Sequence, residues 1–343
     1  MLDRRAFLGG LTVGLGAAGM ARAADLPADI IAKARAEGQV VWYTDLIVDQ
    51  VVRPIAAAFQ KAYGIKLVFT RGDSQETLLK VMSEVRAGRP GADLFSMTSG
   101  MQSLIDGGVT SAFACPNGDL LPAEYRSAQH DWVATNIYSM TPAVNTDLVD
   151  EGDFPKAYDD LLLPRWKGKM VWKPNDTSGA PGFIGTILTS MGEGRGMDYL
   201  RRLAGQKIRI VDASARGLLD QVIAGSYPMV LQIFNHHAAI SAAQGAPVAW
   251  LPFSPSAVVL ECAGMVKGGP NPNAAAVLLN FLVSTEGQTI MQKASYLPSS
   301  PSVPALKPEL KPSGGKFSGV VLSPSLIAKG LDHWNDVFRS LFG

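Results

Sequence analysis

The sequence predicts an α/β fold with two lobes, whose mainly parallel sheets are joined by crossover hinge strands. The chain has 343 residues, which is room for two domains with a core each. Short apolar runs alternate with helical patterns in its first half, and the same alternation restarts in its second half. Alternating strands and helices favour parallel sheets covered on both faces, and the restart favours two sheets over one.

The first lobe begins with a βαβ unit. Residues 40–44 and 65–70 are apolar runs, and between them residues 52–62 place apolar side chains at helical spacing. A further helix begins at Ser74, whose hydroxyl can cap it, and a third strand follows at 92–97.

The second lobe repeats this alternation. We expect strands at residues 169–172, 207–211 and 229–234, and helices that begin near Pro181, Gly196 and Ser214. Two uncharged extended stretches, 132–145 and 248–258, are predicted to cross between the lobes. The expected lobes are residues 24–137 with 253–300, and residues 138–252 with 301–343.

The first 23 residues are predicted to be a cleaved export signal. Arg4 and Arg5 precede an apolar stretch that ends in a small-x-small pattern at residues 21–23. The arginine pair followed by Phe7 and Leu8 resembles a twin-arginine signal, which implies a folded cargo. The alternative is a buried N-terminal helix. We expect cleavage near Ala23 and a soluble periplasmic protein, because no later segment approaches the ~20 continuous apolar residues that span a bilayer.

Composition excludes several classes of partner. Lys and Arg number 31 against 30 Asp and Glu, with no basic block, so binding to nucleic acid is not expected. The apolar fraction of 47% and charged fraction of 18% are typical of an ordered globular protein. Cys115 and Cys262 could form one disulfide after export or remain two buried thiols, and no metal motif contains them.

Small polar side chains follow the predicted strands and open the predicted helices. In open α/β sheets, ligands bind beyond the carboxyl ends of the strands, next to helix N-termini. We therefore expect the ligand-binding residues to be Thr44, Asp45, Ser74, Thr98, Ser99, Thr177, Ser178, Gly179, Ser214, Arg216, His236 and His237.

These residue types favour an oxyanion as ligand. Hydroxyl groups and backbone N–H groups at helix N-termini hold anions, and Arg216 could add a bidentate cation. Simple helix capping is the alternative for each loop. His236 and His237 are expected on an extended segment, where adjacent side chains point in opposite directions. Each could hydrogen-bond a ligand, bind a metal or be structural.

Several stretches together resemble the periplasmic solute-binding proteins of ABC importers, in the cluster that contains ferric-iron, phosphonate and sugar-phosphate binders. The resemblance covers almost all of the chain after residue 23. The matching stretches are residues 40–44, 90–95, 144–146, 158–161, 164–169, 281–282 and 286–288. The resemblance implies a bilobal periplasmic-binding-protein fold that closes on a solute.

The resemblance also bears on the ligand. It implies that ferric binders use a histidine in the loop after the first strand, a glutamate after the third strand and an adjacent tyrosine pair. Ile47, Thr98 and His236 with His237 stand at those places here. Phenolates, which suit Fe(III), are therefore missing from that pair. A small anionic solute bearing phosphate or carboxylate is the leading expectation.

The expected function is solute capture for a membrane permease and ATPase, by a monomer without a cofactor. Catalysis is not expected, since the sequence contains no nucleophile elbow, zinc-protease motif or phosphate loop. One alternative is an iron(III) or chelated-metal binder that uses His236 or His237 with Asp45 or Asp73. Another is an exported hydrolase with a histidine base. A chemosensory role is not separable from transport at this level.

Overall fold

The apolar runs of the chain form the strands of one connected sheet. The computed structural model describes residues 26–343, so the predicted signal and its cleavage site lie outside the described residues. The strands are β1 (Gln39–Thr44), β2 (Lys66–Arg71), β3 (Leu94–Met97), β4 (Thr110–Ser111), β5 (Val133–Asn145), β6 (Met170–Trp172), β7 (Arg209–Ile210), β8 (Met229–Phe234), β9 (Val248–Trp250), β10 (Ser256–Val266), β11 (Leu297–Pro298) and β12 (Gly319–Leu322).

Helices cover the sheet and connect most of its strands. They are α1 (Ala28–Glu37), α2 (Arg53–Tyr63), α3 (Ser74–Arg86), α4 (Met101–Asp106), α5 (Ala180–Met191), α6 (Glu193–Ala204), α7 (Ala215–Ile223), α8 (Asn235–Ala243), α9 (Pro272–Leu282), α10 (Thr285–Lys293) and α11 (Pro324–Phe342). Shorter helical turns lie at Val48–Val52, Gly118–Leu120, Ala123–Tyr125, Glu151–Asp153, Tyr158–Leu162, Pro164–Trp166, Pro308–Leu310 and Pro312–Gly314. Within residues 26–343, no helix has both the length and the apolar character needed to cross a bilayer.

Two long antiparallel strands, β5 and β10, lie at the centre of the sheet. On one side β10 pairs with β3, followed by β1 and β2, and on the other side β5 pairs with β8, followed by β6 and β7. Within each outer group the neighbouring strands are parallel, as predicted.

The prediction of two separate sheets is wrong. The central strands are long enough to bond to both groups at different points: residues 262–265 of β10 pair with β3, whereas residues 140–144 of β5 pair with β8. One ladder between β5 and β10 therefore links the two parallel groups.

The first crossover strand lies where it was predicted, and the second does not. β5 fills residues 133–145, but the stretch 248–258 contains only the short strand β9 and the start of β10. Pro252 and Pro255 interrupt this stretch, and proline has no N–H group to donate to a ladder. The long strand therefore begins after Pro255.

Two carboxylates, of which Asp93 is buried, connect helix α9 to the first parallel group. Asp93, which is 1% exposed, accepts hydrogen bonds from the backbone N–H of Val41 and from both the N–H and the side-chain amide of Asn271. Glu37 accepts from the backbone N–H groups of Asn273 and Ala274 in the first turn of α9. A carboxylate at this end also complements the helix dipole.

The apolar core fills the space between the helices and the sheet. Trp42 and Phe59 pack with Phe281 of α9 on one side of the molecule, and Trp172 packs with Phe183 of α5 on the other. All are at most 3% exposed. Cys115 and Cys262 are buried and free, which agrees with the alternative of two separate thiols.

Candidate functional site

A cleft of about 630 Å³ opens between the loops that follow β1, β2 and β3 and the loops that precede α5, α7 and α8. Its floor is the middle of the central strand pair, where Tyr138 of β5 and Val259 of β10 are cross-strand partners. Carboxyl ends of parallel strands therefore meet across the cleft, as expected for a ligand site in such a sheet.

A larger open groove of about 1080 Å³ lies elsewhere, along α2, α9 and α10. Helix side chains such as Lys61, Glu286 and Lys293 form most of its walls. Among the described residues, no strand-end loop from the second parallel group lines this groove, whereas loops from both groups converge on the cleft, so the cleft is the candidate site.

Most of the predicted ligand-binding residues line this cleft. Those that line it are Asp45, Ser74, Thr98, Ser99, Thr177, Ser178, Ser214 and His237. Thr44, Gly179, Arg216 and His236 are not among the residues that line it. The loops after β1, β2 and β3 form the first wall of the cleft, and the segments before α5, α7 and α8 form its second wall.

Asp45 is the centre of the first wall. Its Oδ2 atom accepts hydrogen bonds from the Ser74 hydroxyl at 2.6 Å, the Thr98 backbone N–H at 3.3 Å and the Thr98 hydroxyl at 3.4 Å. Ser74 therefore does not cap α3, contrary to its predicted role. Asp73 caps that helix instead, because its carboxylate accepts from the Glu76 N–H at 2.8 Å. The Ser74 hydroxyl is left to bind Asp45.

Thr44 positions the first wall from beneath. It is fully buried, and its hydroxyl lies 2.8 Å from the Ser96 hydroxyl and accepts from the Leu46 N–H at 3.2 Å. These bonds fix the turn that presents Asp45 to the cleft, so the structure places Thr44 in a supporting position.

The second wall begins with the 176–179 loop before α5. Asp176 accepts from the backbone N–H and the hydroxyl of Ser178, and it pairs with Lys173 at 2.8 Å. The buried Gln232 amide donates to the carbonyl oxygens of Thr177 and Gly179. Gly179 thus shapes the loop through its backbone, while Thr177 and Ser178 face the cleft.

Ser214 and Arg216 open helix α7, but only Ser214 faces the cleft. Ser214 caps the helix, as predicted, by accepting from the Gly217 N–H at 3.0 Å. Arg216 bonds to the Ser241 hydroxyl at 3.0 Å and pairs with Asp220 at 2.7 Å. Its guanidinium is engaged on the helix surface and lies behind His237.

The two histidines lie in the first turn of α8, so the expectation of an extended segment is wrong. β8 ends at Phe234, and the chain turns directly into the helix at Asn235. His237 lines the cleft beside the Phe234 ring, whereas His236 is 3% exposed and packs against Tyr138 and Tyr296.

Both imidazoles are neutral near pH 7. Burial, followed by the charge of Arg216, lowers the pKa of His237 to about 4, and burial holds the pKa of His236 well below its usual value. Each ring can therefore donate one hydrogen bond and accept another. Across residues 26–343, no three His, Cys, Asp or Glu side chains are grouped as metal ligands.

His237→Gln is expected to reduce the loss of stability on acidification. An unfolded histidine titrates near pH 6.5, so between about pH 6.5 and about pH 4 the unfolded chain takes up a proton that folded His237 does not. Stability is therefore lost as the pH falls through this window, by up to about 3 kcal/mol for this residue. Urea denaturation at about pH 7 and about pH 4.5 measures the difference.

The exposed His333 provides the control for that experiment. The change in the pH dependence of stability is expected to be larger in His237→Gln than in His333→Gln, because only the former removes a buried imidazole. If the two variants lose stability equally on acidification, the burial effect assigned to His237 is wrong.

Aromatic side chains at the cleft floor were not predicted. Tyr138, Phe234 and Tyr296 line the cleft, and the ring of Tyr138 lies 5.0 Å from that of Phe234 and 6.0 Å from that of Tyr296. Burial, followed by the charge of Glu261, raises the pKa of both phenols, which keeps them protonated at neutral pH. Arg71, at the end of β2, is the further charged residue that strand-end reasoning could have found.

The fold and the cleft define the class of protein. Two parallel α/β groups, joined by long crossover strands and separated by a polar cleft, are the architecture of a bilobal periplasmic binding protein. The family model for bacterial extracellular solute-binding proteins matches residues 54–314, and the chain belongs to that family.

Solved structures with the same fold include three informative neighbours. An iron- and citrate-bound IdiA (FutA) from Trichodesmium matches with a TM-score of 0.75 at 19% identity, over 89% of this chain and 99% of that one. Iron-bound HitA from Pseudomonas aeruginosa matches with a TM-score of 0.72 at 21% identity, over 88% and 99%. AfuA from Actinobacillus pleuropneumoniae, with fructose-6-phosphate bound, matches with a TM-score of 0.65 at 20% identity, over 88% and 99%.

These comparisons confirm the fold class and the recognition made from sequence. The protein is a periplasmic solute-binding component of an ABC importer, working with a membrane permease and ATPase, and it is not an enzyme. The alternative of an exported hydrolase is therefore set aside.

Proposed function

We propose that this protein captures a small solute with a phosphate or carboxylate group and delivers it to the importer. In this proposal the signal is cleaved between Ala23 and Ala24, and the mature protein acts as a monomer. The solute binds between the lobes expected from sequence, residues 24–137 with 253–300 and residues 138–252 with 301–343.

The main support for an anionic solute comes from the second wall of the cleft. Helices α5, α7 and α8 all begin at the cleft, where Thr177, Ser178, Ser214 and His237 line it. Helix N-termini direct N–H groups and a positive partial charge at a ligand, which favours an anion. The nearby charges of Asp176 and Lys173 offset each other through their ion pair. The helix ends and hydroxyls are then the main electrostatic feature of this wall.

Contacts from both walls would couple binding to lobe closure. A solute held by Thr177 and Ser214 on one side and by the Asp45 and Thr98 loops on the other makes all its contacts only when the walls are close. Such a ligand shifts the equilibrium toward the closed form by its difference in affinity for the two forms. The permease can then distinguish loaded from empty protein.

A thermal-shift screen tests the proposal on the chain from Ala24 onward. The compounds are sugar phosphates, phosphonates, carboxylates, and Fe(III) with and without citrate. We expect one anion class to raise the melting temperature by several degrees, since a ligand that binds only the folded state stabilises it. If no anion class shifts the melting temperature, the proposed solute class is wrong.

Thr177→Val is expected to weaken binding of that anion about tenfold. The variant keeps the shape of the side chain and removes one hydroxyl donor, and a hydrogen bond to a charged group contributes about 1.5–3 kcal/mol. Calorimetry compares its affinity with that of the exposed control Thr146→Val. Equal affinities in the two variants would remove Thr177 from the site.

A second candidate is iron carried as a complex with a carboxylate anion. The Trichodesmium neighbour binds iron and citrate, and oxygen donors from Asp45, Asp73, Tyr138 and Tyr296 line this cleft. Protonated phenols disfavour iron bound by the protein alone, because Fe(III) suits anionic oxygen ligands. A thermal shift with Fe(III)-citrate that citrate alone does not produce would favour this candidate.

A further inference from the structure

The first wall has a different electrostatic character from the second. Asp45, Asp73 and Asp176 line the cleft together with one arginine, Arg71, at the exposed end of β2. Asp176 is paired with Lys173, but the hydrogen-bond donors to Asp45 are hydroxyls and a backbone N–H, which stabilise its charge without cancelling it. The hydroxyls of Ser74 and Thr98, which could otherwise bind an anion on this wall, are already bonded to the carboxylate of Asp45.

A buried carboxyl group lies directly behind Asp45. Glu261 is fully buried on β10, and its oxygens make no hydrogen bond of normal geometry within the described chain. Asp45 and Ser96 are the polar side chains beside it, and Tyr138, Tyr296 and Cys262 are close enough for its charge to affect them. Side chains alternate along a strand, so Glu261 is on the same face as Val259, which lines the cleft floor.

Two adjacent carboxyl groups do not both ionise in a buried site. Burial, followed by the charge of Asp45, raises the pKa of Glu261 well above its usual value, so Glu261 carries the proton. Asp45 then holds the negative charge of the pair at the cleft surface. The carboxylate of Asp45 consequently attracts a positive group at this point of the first wall, whereas Arg71 supplies a positive charge at the end of β2.

Aromatic rings complete the environment of Asp45. Tyr138 and Tyr296 line the same cleft, and the charge of Asp45 affects the pKa of both. A carboxylate in a cleft that is also lined by aromatic rings suits an organic ammonium group, because such a group donates a charged hydrogen bond to the carboxylate and is attracted to ring faces. Since no trio of His, Cys, Asp or Glu ligands is grouped within residues 26–343, an ammonium group fits this wall better than a bare metal ion.

We propose that Asp45, with Glu261 buried behind it and with Tyr138 and Tyr296 lining the same cleft, forms a subsite for a small ammonium group. This inference rests on the proposed function, because the acidic end of the same solute binds the helix N-termini of the second wall. The solute is then a small molecule with a positive group at one end and a phosphate, phosphonate or carboxylate at the other.

Three probes test the ammonium subsite and the anion site separately. O-phosphoethanolamine carries both groups, glycerol phosphate carries only the acidic group, and ethanolamine carries only the ammonium group. Calorimetry on the mature protein is expected to show that O-phosphoethanolamine binds about tenfold more tightly than glycerol phosphate. Ethanolamine is expected to compete with O-phosphoethanolamine.

Asp45→Asn is expected to remove that preference. Its affinity for O-phosphoethanolamine should fall about tenfold more than its affinity for glycerol phosphate, because only O-phosphoethanolamine carries the ammonium group. Asp45→Ser, which also removes the charge, is the second variant, and Asp147→Asn at an exposed position is the control. Measuring both probes on each variant separates a lost subsite from a lost fold, which would abolish both affinities.

The outcomes distinguish the two proposals. If glycerol phosphate binds wild-type protein as tightly as O-phosphoethanolamine, the ammonium subsite is wrong and the proposed function stands. If the preference persists in both Asp45 variants, Asp45 is not the recognition group and this inference is overturned. If no probe binds at millimolar concentration, the ammonium subsite is wrong, and the thermal-shift screen decides the proposed function separately.

Discussion

Gly182→Ala is expected to displace the 176–179 loop and to abolish solute binding. A Cβ atom at residue 182 would lie 1.8 Å from the carbonyl oxygen of Thr177 and 2.9 Å from the Gln232 amide nitrogen. A backbone oxygen, unlike the end of a flexible side chain, cannot move aside by itself. The loop must therefore move, and the two hydrogen bonds that Gln232 donates to it break. Overpacking on this scale costs about 3 kcal/mol of unfolding free energy.

Gly194→Ala provides the control for this prediction. Gly194 lies in α6, and a Cβ atom there meets no atom within 4 Å. The control should be neutral or stabilising by up to about 1 kcal/mol, because alanine is the better helix former. Denaturant unfolding and calorimetry with the solute from the screen measure both effects. Wild-type affinity in the Gly182 variant would contradict the role assigned to the loop.

Asp93→Ala is expected to lower the unfolding free energy by about 4 kcal/mol. The substitution removes three hydrogen bonds and leaves the buried N–H groups of Val41 and Asn271 without their acceptor. Each unsatisfied buried donor costs about 1–3 kcal/mol. Asp93→Asn, which keeps one side-chain oxygen as an acceptor, should lose less.

The matched control for that experiment is Asp147→Ala, which removes an exposed carboxylate at a loop position. Chemical denaturation of the three variants measures the differences. A loss of less than about 1 kcal/mol in Asp93→Ala would show that α9 does not depend on this carboxylate.

Strand positions were predictable where an apolar run has clear boundaries. β8 occupies residues 229–234 as predicted, β1 begins one residue before its predicted start, and β2 is shifted by one residue at both ends. β10 was misplaced because the residues after Pro255 include Glu261, a charge that argues against a buried strand. Glu261 can be buried because it is protonated and therefore neutral, whereas a hydrophobicity pattern treats every glutamate as charged.

The site was predictable to the extent that it follows from strand ends. Asp45 and Thr98 directly follow β1 and β3, Thr177 lies in the loop before α5, and all three line the cleft. Tyr138 comes from the middle of β5 and Tyr296 from the turn after α10, so tertiary pairing alone brings them to the cleft.

Arg216 shows the converse limit of sequence reasoning. It is placed correctly at the start of α7, but Asp220 lies one helical turn later and binds its guanidinium. A side chain four residues further along the same helix is always within reach of the arginine. A ligand in the cleft must therefore compete with that side chain for the guanidinium. A helix-opening arginine therefore needs its local acidic neighbours checked before a ligand role is assigned.

The pairing of β3 with β10 has a consequence for biosynthesis. β3 ends at Met97 and β10 begins at Ser256, so about 160 residues are translated between the two partners. A bacterial ribosome adds about 5–20 residues per second, which leaves the β3 edge unpaired for roughly 10–30 seconds on each nascent chain. During that interval the emerging N-terminal region presents an apolar edge strand that a chaperone can recognise. The order of the strands along the chain thus sets how long β3 lacks its partner β10 during synthesis.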